Sequence, residues 1–179
     1  MSSNLKKLIA SSLLLCLPLL TGCGKDSNPM APKAPAPPEY VDVTVTLVRI
    51  LAVADGDGIE GAGEFSYRAV VNDGPGPLDV SGYQVLDTGS SYTLGLRKVM
   101  RIRKDEYYQI QVKFTATEWD MDILGNVYAD TRMDNLTEQR MHTSTSTTAG
   151  FNDGERWITL GTGDLQLRLV YTVTSKPVV

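Results

Sequence analysis

Leu165, Leu167, Leu169, Tyr171 and Val173 stand at every second position near the end of the chain, and that period of two is what most limits the possible folds. Successive side chains of an extended strand point to opposite faces, so such a run buries one continuous face only as a β-strand. The same period recurs in Phe65, Tyr67, Ala69 and Val71, and again in Tyr108, Ile110, Val112, Phe114 and Ala116. Val41, Val43, Val45 and Leu47 keep one parity before Val48, Ile50 and Ala52 adopt the other, which implies a bulge near Leu47. Weaker strand signals cover residues 81–86, 92–103, 126–133, 139–147 and 157–160. No sustained helical stripe occurs after Tyr40. The expected class is all-β: an antiparallel two-sheet sandwich of about eight strands, filling residues 40–179 and preceded by a signal peptide and a Pro-rich linker.

The first 39 residues obey different rules. Lys6 and Lys7 precede an apolar run, Leu8 to Leu20, too short to span a bilayer as a stable helix, and the run ends in Leu20-Thr21-Gly22-Cys23. This stretch resembles the bacterial lipoprotein signal peptide, whose lipobox ends in the cysteine that receives lipid; all four positions match. The resemblance implies removal of residues 1–22, a diacylglycerol on the Cys23 sulfur, and a further acyl chain of the palmitate kind on its amine. It places the protein in a bacterial cell envelope, held on the membrane by lipid. With Gly24 rather than Asp after the cysteine, the outer membrane is favoured if the source is Gram-negative. Two or more chains anchor stably at about 0.8 kcal/mol per buried methylene. Residues 24–39 carry Pro29, Pro32, Pro35, Pro37 and Pro38 with almost nothing to bury, and read as a tether reaching up to roughly 50 Å.

Cleavage would leave 157 residues and remove Lys6 and Lys7, taking the formal charge from −4 to −6. An acidic domain lacks the basic surface that phosphate backbones need, so nucleic acid is not an expected partner. Cys16 leaves with the signal and Cys23 is acylated, which leaves no disulfide and no thiol chemistry.

The acidic loops are the main candidate site. If strand direction alternates along the chain, the loops at 54–63, 87–91 and 118–127 fall at one end. The first carries Asp55, Asp57, Glu60 and Glu64; the second carries Asp87; the third carries Glu118, Asp120 and Asp122. Glu118, Asp120 and Asp122 also continue the inward phase of the strand from Tyr108. Clustered anions resist desolvation unless a cation or hydrogen-bond donors compensate them. Calcium suits such a rim, taking six to eight oxygens at about 2.3–2.6 Å from carboxylates, carbonyls and water. A chain whose single histidine is His142 and whose cysteines are used elsewhere suits transition metals less well. An EF-hand is excluded because Ile59 and Glu60 stand where the loop from Asp55 needs an oxygen ligand and a glycine.

The Asp-x-Asp stretch Trp119-Asp120-Met121-Asp122, together with Asp55 and Asp57, resembles the calcium-and-lipid-binding sandwich of synaptotagmin and protein kinase C type. That resemblance implies calcium shared between loops at one end, and it extends in architecture over residues 40–175. The chain departs from the family where Tyr128 stands six residues after Asp122, a position expected to hold a further Asp. Asp-Gly pairs are equally a hairpin signal, and acidic loop tips keep strand edges soluble, so a purely structural reading of these loops stays open.

Other features are less specific. Arg97, Arg101 and Arg103, with Lys98 and Lys104, form a basic stripe that fits anionic head groups or a solvated strand face. Hydroxyls at 143–148 follow His142, but no nucleophile elbow accompanies them. Trp119 and Trp157 are expected to pack at core and rim. The chain is therefore expected to be a membrane-anchored binding module for a protein, glycan or lipid ligand; a structural lipoprotein without metal is the alternative, and a hydrolase a distant third.

Overall fold

The computed structural model describes residues 39–56, 61–72, 76–121, 124–144, 151 and 153–178. Nine strands follow one another: Tyr40–Asp55 (β1), Gly63–Asn72 (β2), Leu78–Leu86 (β3), Ser91–Arg103 (β4), Gln109–Met121 (β5), Val127–Ala129 (β6), Leu136–Thr143 (β7), Gly154–Thr162 (β8) and Leu165–Pro177 (β9). They form two antiparallel sheets. One has the order β4-β1-β9-β8; the other runs β3-β2-β5, with β6 and β7 both paired to the far side of β5. The described residues fall within one unit, Pro37–Val179. Among them, no helix is long and apolar enough to cross a membrane. The signal, Cys23 and the tether up to Pro38 lie outside the described residues, as do Asp57, Glu60 and Asp122.

The period-two runs become the facing surfaces of the two sheets. Val43, Val45, Leu47, Leu165, Leu167, Leu169, Tyr171 and Val173 fill one side of the core, and Phe65, Ala69, Val71, Ile110, Val112 and Phe114 fill the other, all fully buried. Each large side chain taken from water contributes about 1.5–3 kcal/mol, so this interior is the main source of stability. The parity change in β1 is a bulge: its register against β4 and β9 shifts between Leu47 and Arg49. The extra residue carries the buried series from Leu47 to Ile50 without turning the strand over.

The strand expected over 126–133 is cut short, and the reason lies in one aspartate. Asp130 turns the chain: its carboxylate accepts the Arg132 backbone N–H at 2.7 Å, while its carbonyl accepts that of Met133 at 2.9 Å. Because β6 and β7 pair with β5 in the same sense, they are two pieces of one edge strand. Ala129 stands opposite Trp119 and Leu136 opposite Ala116, so residues 130–135 face only Thr117 and Glu118. Counted by direction there are eight strands, the last edge interrupted by this excursion.

A tight hairpin joins β8 to β9, with Thr162 paired to Leu165. Gly161, at φ +77°, enters it so closely that a Cβ would collide with the Leu165 carbonyl oxygen and lie 2.8 Å from Met133 Cε. Gly163 also has positive φ, but a Cβ there meets open space. Gly161→Ala should therefore lower the unfolding free energy by about 3 kcal/mol, and Gly163→Ala by about 1. Urea unfolding with an unchanged m-value checks the ordering; equal costs would mean that the close approach is relieved by a small backbone shift.

Candidate functional site

Three carboxylates meet where the interrupted edge passes β5. Oxygens of Glu118, Asp120 and Asp130 all lie within 4.8 Å of one another. Glu118 is 1% exposed, Asp130 is 7% exposed and Asp120 is half-buried. β5 supplies the first two because its core-facing phase runs on past Ala116, and the excursion supplies the third. Backbone hydrogen bonds clamp the two segments: Glu118 N–H donates to the Met133 carbonyl at 3.2 Å and Asp130 N–H to that of Glu118 at 2.9 Å. Asn135 N–H reaches Thr117 Oγ1 at 3.0 Å on the flank.

Two like charges about 4 Å apart near a protein surface oppose each other by about 4 kcal/mol, so this triad requires positive charge. Arg132 supplies part of it. Its Nη2 lies 2.5 Å from Asp130 Oδ2, its Nε donates to the same oxygen at 2.7 Å, and its Nη1 donates to Asp164 at 2.8 Å. Hydrogen bonds from Arg132 hold Asp130 below its ordinary value of 3.8, against the opposing effect of burial. The guanidinium is raised in turn, chiefly by Asp130 and also by Asp164 and Asp120. Arg132 is shared between Asp130 and a fourth carboxylate, Asp164, so acidic groups outnumber the guanidinium at this rim.

The acidic residues singled out from the sequence separate into distinct roles. Glu118 and Asp120 meet in the triad. Asp55, at the end of β1, spends its carboxylate on the Thr88 N–H at 2.8 Å, and its own N–H donates to Thr88 Oγ1 at 3.1 Å. That reciprocal pair, with Gly89 N–H donating to the Ala52 carbonyl, latches the β3–β4 turn to β1. Asp87 is exposed in the same turn, and its carbonyl accepts both the N–H and the hydroxyl of Ser90. Glu64 is half-buried on β2 opposite Trp119, in a small cleft with Tyr83, Asp120 and Val127. The Arg132 guanidinium reaches the β1 end as well, lying 3.3 Å from where a Gly56 Cβ would be.

Asp130 is the residue that reading the sequence missed. Its signal was the turn-forming run Asp130 to Asn135, in which Asn135 adopts φ 49°, but strand periodicity outweighed it. The basic stripe is largely neutralised: Arg101 pairs with Asp42, Arg103 with Asp105 and Glu106, and Lys104 with Glu39. Trp119 is pinned through its indole N–H to Ser66 Oγ at 2.8 Å, whereas Trp157 is 54% exposed.

No family model matches the chain, and none of the curated proteins does. Among solved structures it is similar to a C2 domain of plant extended synaptotagmin 1, at 13% identity and TM-score 0.37 over 80% of this chain and 99% of that one. It is also similar to human GIVD cytosolic phospholipase A2, at 9% identity and TM-score 0.38 over 79% of this chain and 18% of that one. A C2 domain protein from Ramazzottius varieornatus gives 14% identity and TM-score 0.33 over 76% and 89%. Overlaps this loose carry no argument about family or activity.

Because Asp130 is held low, its ion pair stabilises the fold above pH 3.8 and that contribution is lost as pH falls through the depressed folded value. Asp130→Asn should lower stability at pH 7, and the gap to the unaltered chain should close below pH 3.8. Urea unfolding at a series of pH values checks this; a gap that stays constant into acid would mean the pairing with Arg132 is not its source.

Proposed function

We propose that this chain is a lipid-anchored bacterial envelope protein whose β-sandwich holds calcium at one rim and binds its ligand there. The observation that carries the reading is the meeting of Glu118, Asp120 and Asp130 within 4.8 Å, with Glu118 almost wholly buried. The donor set is all oxygen, which suits a hard cation such as calcium. Glu118 and Asp120 would be the principal ligands. Asp130, already shared with Arg132, would be a weaker one. Asp57, Glu60 and Asp122 belong to the same reading through the loops they stand on, with Asp55, Glu64 and Asp87 at its margin. Bound calcium supplies charge neutralisation and rigidity, and the chain's own residues supply the surface around it. That surface is apolar as well as acidic: Leu124, Val127 and Tyr128 are exposed beside the strand that carries Asp120, which suits a lipid or protein ligand over a purely polar one.

A second reading is favoured by Arg132. Its paired bonds to Asp130 are those of a resident counter-ion, and the rim would then be a structural ion-pair network that needs no metal.

Thermal melts separate the two. With free calcium at about 100 times Kd the full chain should gain about 2.7 kcal/mol over the chelated sample, roughly 10 °C in Tm. Glu118→Gln should remove that gain. A Tm indifferent to calcium and chelator would leave the Arg132 network as the explanation. The anchor is tested separately: Cys23→Ser should abolish acylation by mass spectrometry and release the protein from the membrane fraction, and a Cys23→Ser chain that stays acylated and membrane-bound would overturn it.

A further inference from the structure

Three neighbouring strands of the second sheet bring acids and rings together on the face turned away from the core. Phe65 and Tyr67 are buried on β2, so Glu64 and Ser66, at the other parity, point outward. Directly opposite residues in an antiparallel ladder share a face. Trp119 stands opposite Glu64 on β5 and Tyr83 opposite Ser66 on β3, which puts both rings on that outer face. Val127 stands opposite Met121, two residues beyond Trp119, and shares it. Glu64, Tyr83, Trp119 and Val127 line one cleft of about 60 Å³, which Asp120 borders from the rim.

Sheet order fixes the arrangement. β2 lies between β3 and β5, so Tyr83 and Trp119 flank the strand that carries Glu64. The indole reaches toward that strand, its N–H donating to Ser66 Oγ at 2.8 Å, which holds the half-buried ring in place. Tyr83 and Val127 stay exposed. Burial, followed by the charges of Glu64 and Glu118, raises the Tyr83 hydroxyl above its ordinary 10.0, so this ring stands in a negative field. No lysine or arginine among the described residues lines the cleft. Arg132, whose charge interacts with Asp120, is bonded to Asp130 and Asp164. The connections at 57–60 and 122–123, outside the described residues, carry Asp57, Glu60 and Asp122 and no basic residue, so they add no positive charge.

We propose that this cleft binds an organic cation, the methylated ammonium head of a small solute such as choline. Trp119, Tyr83 and Val127 take the methyl groups, and Glu64 and Asp120 answer the charge. Aromatic side chains attract cations through the ring quadrupole, and quaternary ammonium is the ion such walls suit best. A neutral ligand would take water from two carboxylates and return no charge to them. A hard inorganic cation would meet two rings and a valine where it needs oxygen. A primary ammonium brings three N–H donors to walls that are mostly apolar. The volume lies far below the roughly 300–1,000 Å³ of sites that enclose a whole ligand, so the cleft holds the head group and leaves the rest in solvent. Asp120 is shared with the acidic triad, but Tyr83, Trp119 and Val127 stand outside it, and binding here does not require calcium.

The test is a titration of the full chain in a polyoxyethylene detergent and sodium phosphate buffer, with chelator present and ionic strength held constant. Choline, methylammonium and dimethylbutanol, the neutral carbon isostere of choline, are the probes, followed by the two indole N–H signals in NMR. Choline should saturate with Kd below about 5 mM. It should shift the Trp119 signal and leave in place that of Trp157, which stands on the other sheet. Methylammonium and dimethylbutanol should each bind about tenfold more weakly, and Glu64→Gln should weaken choline about fivefold. Should that variant not fold, Tyr83→Ala, at an exposed position, is read in the same way. Absence of saturation by choline would overturn the proposal, as would a shift of Trp157 in place of Trp119. So would either of the other probes binding as tightly as choline, or unchanged affinity in the folded variant.

Discussion

Glu118 continues the strand phase that buries Ile110, Val112, Phe114 and Ala116, and water reaches only 1% of it. A carboxylate in that position raises the cost of the fold unless its surroundings answer its charge. Opposite it lies a six-residue excursion of the neighbouring edge strand, which brings Asp130 close and, paired with Asp130, Arg132. Backbone hydrogen bonds tie this position to the excursion, whose turn Asp130 makes between β6 and β7.

The two ends of the sandwich treat charge differently. At the rim, acidic side chains crowd around a single guanidinium, and the balance left over is negative. Along the β7–β8 edge, two guanidiniums flank a neutral histidine–tyrosine pair, and the local balance is positive. Net charge alone, modestly negative over the whole chain, says nothing of this separation.

Much of the architecture was legible in the residues. Period two gave the strands their inward faces, and the parity change at Leu47 gave the bulge in β1. Alternating strand direction also put the end of β1 beside the Asp87 turn, as the Asp55–Thr88 hydrogen bonds show. What could not be read was how each carboxylate is spent. Asp55 resembles a ligand in one dimension and caps a turn in three. Asp130 resembles a strand residue and is a turn-former. Trp157 resembles a packing residue and is exposed beside Arg168. In each case the deciding partner is set by the fold, and for Asp55 and Thr88 it stands 33 residues away.

Local chemistry was enough to determine the all-β class and the face each long strand buries, because a dihedral period acts between near neighbours. Only the tertiary structure decided which acids share a site and which guanidinium they share it with. Those outcomes depend on strand order and register between distant segments, and a one-residue change in register would send every one of these side chains to the other face.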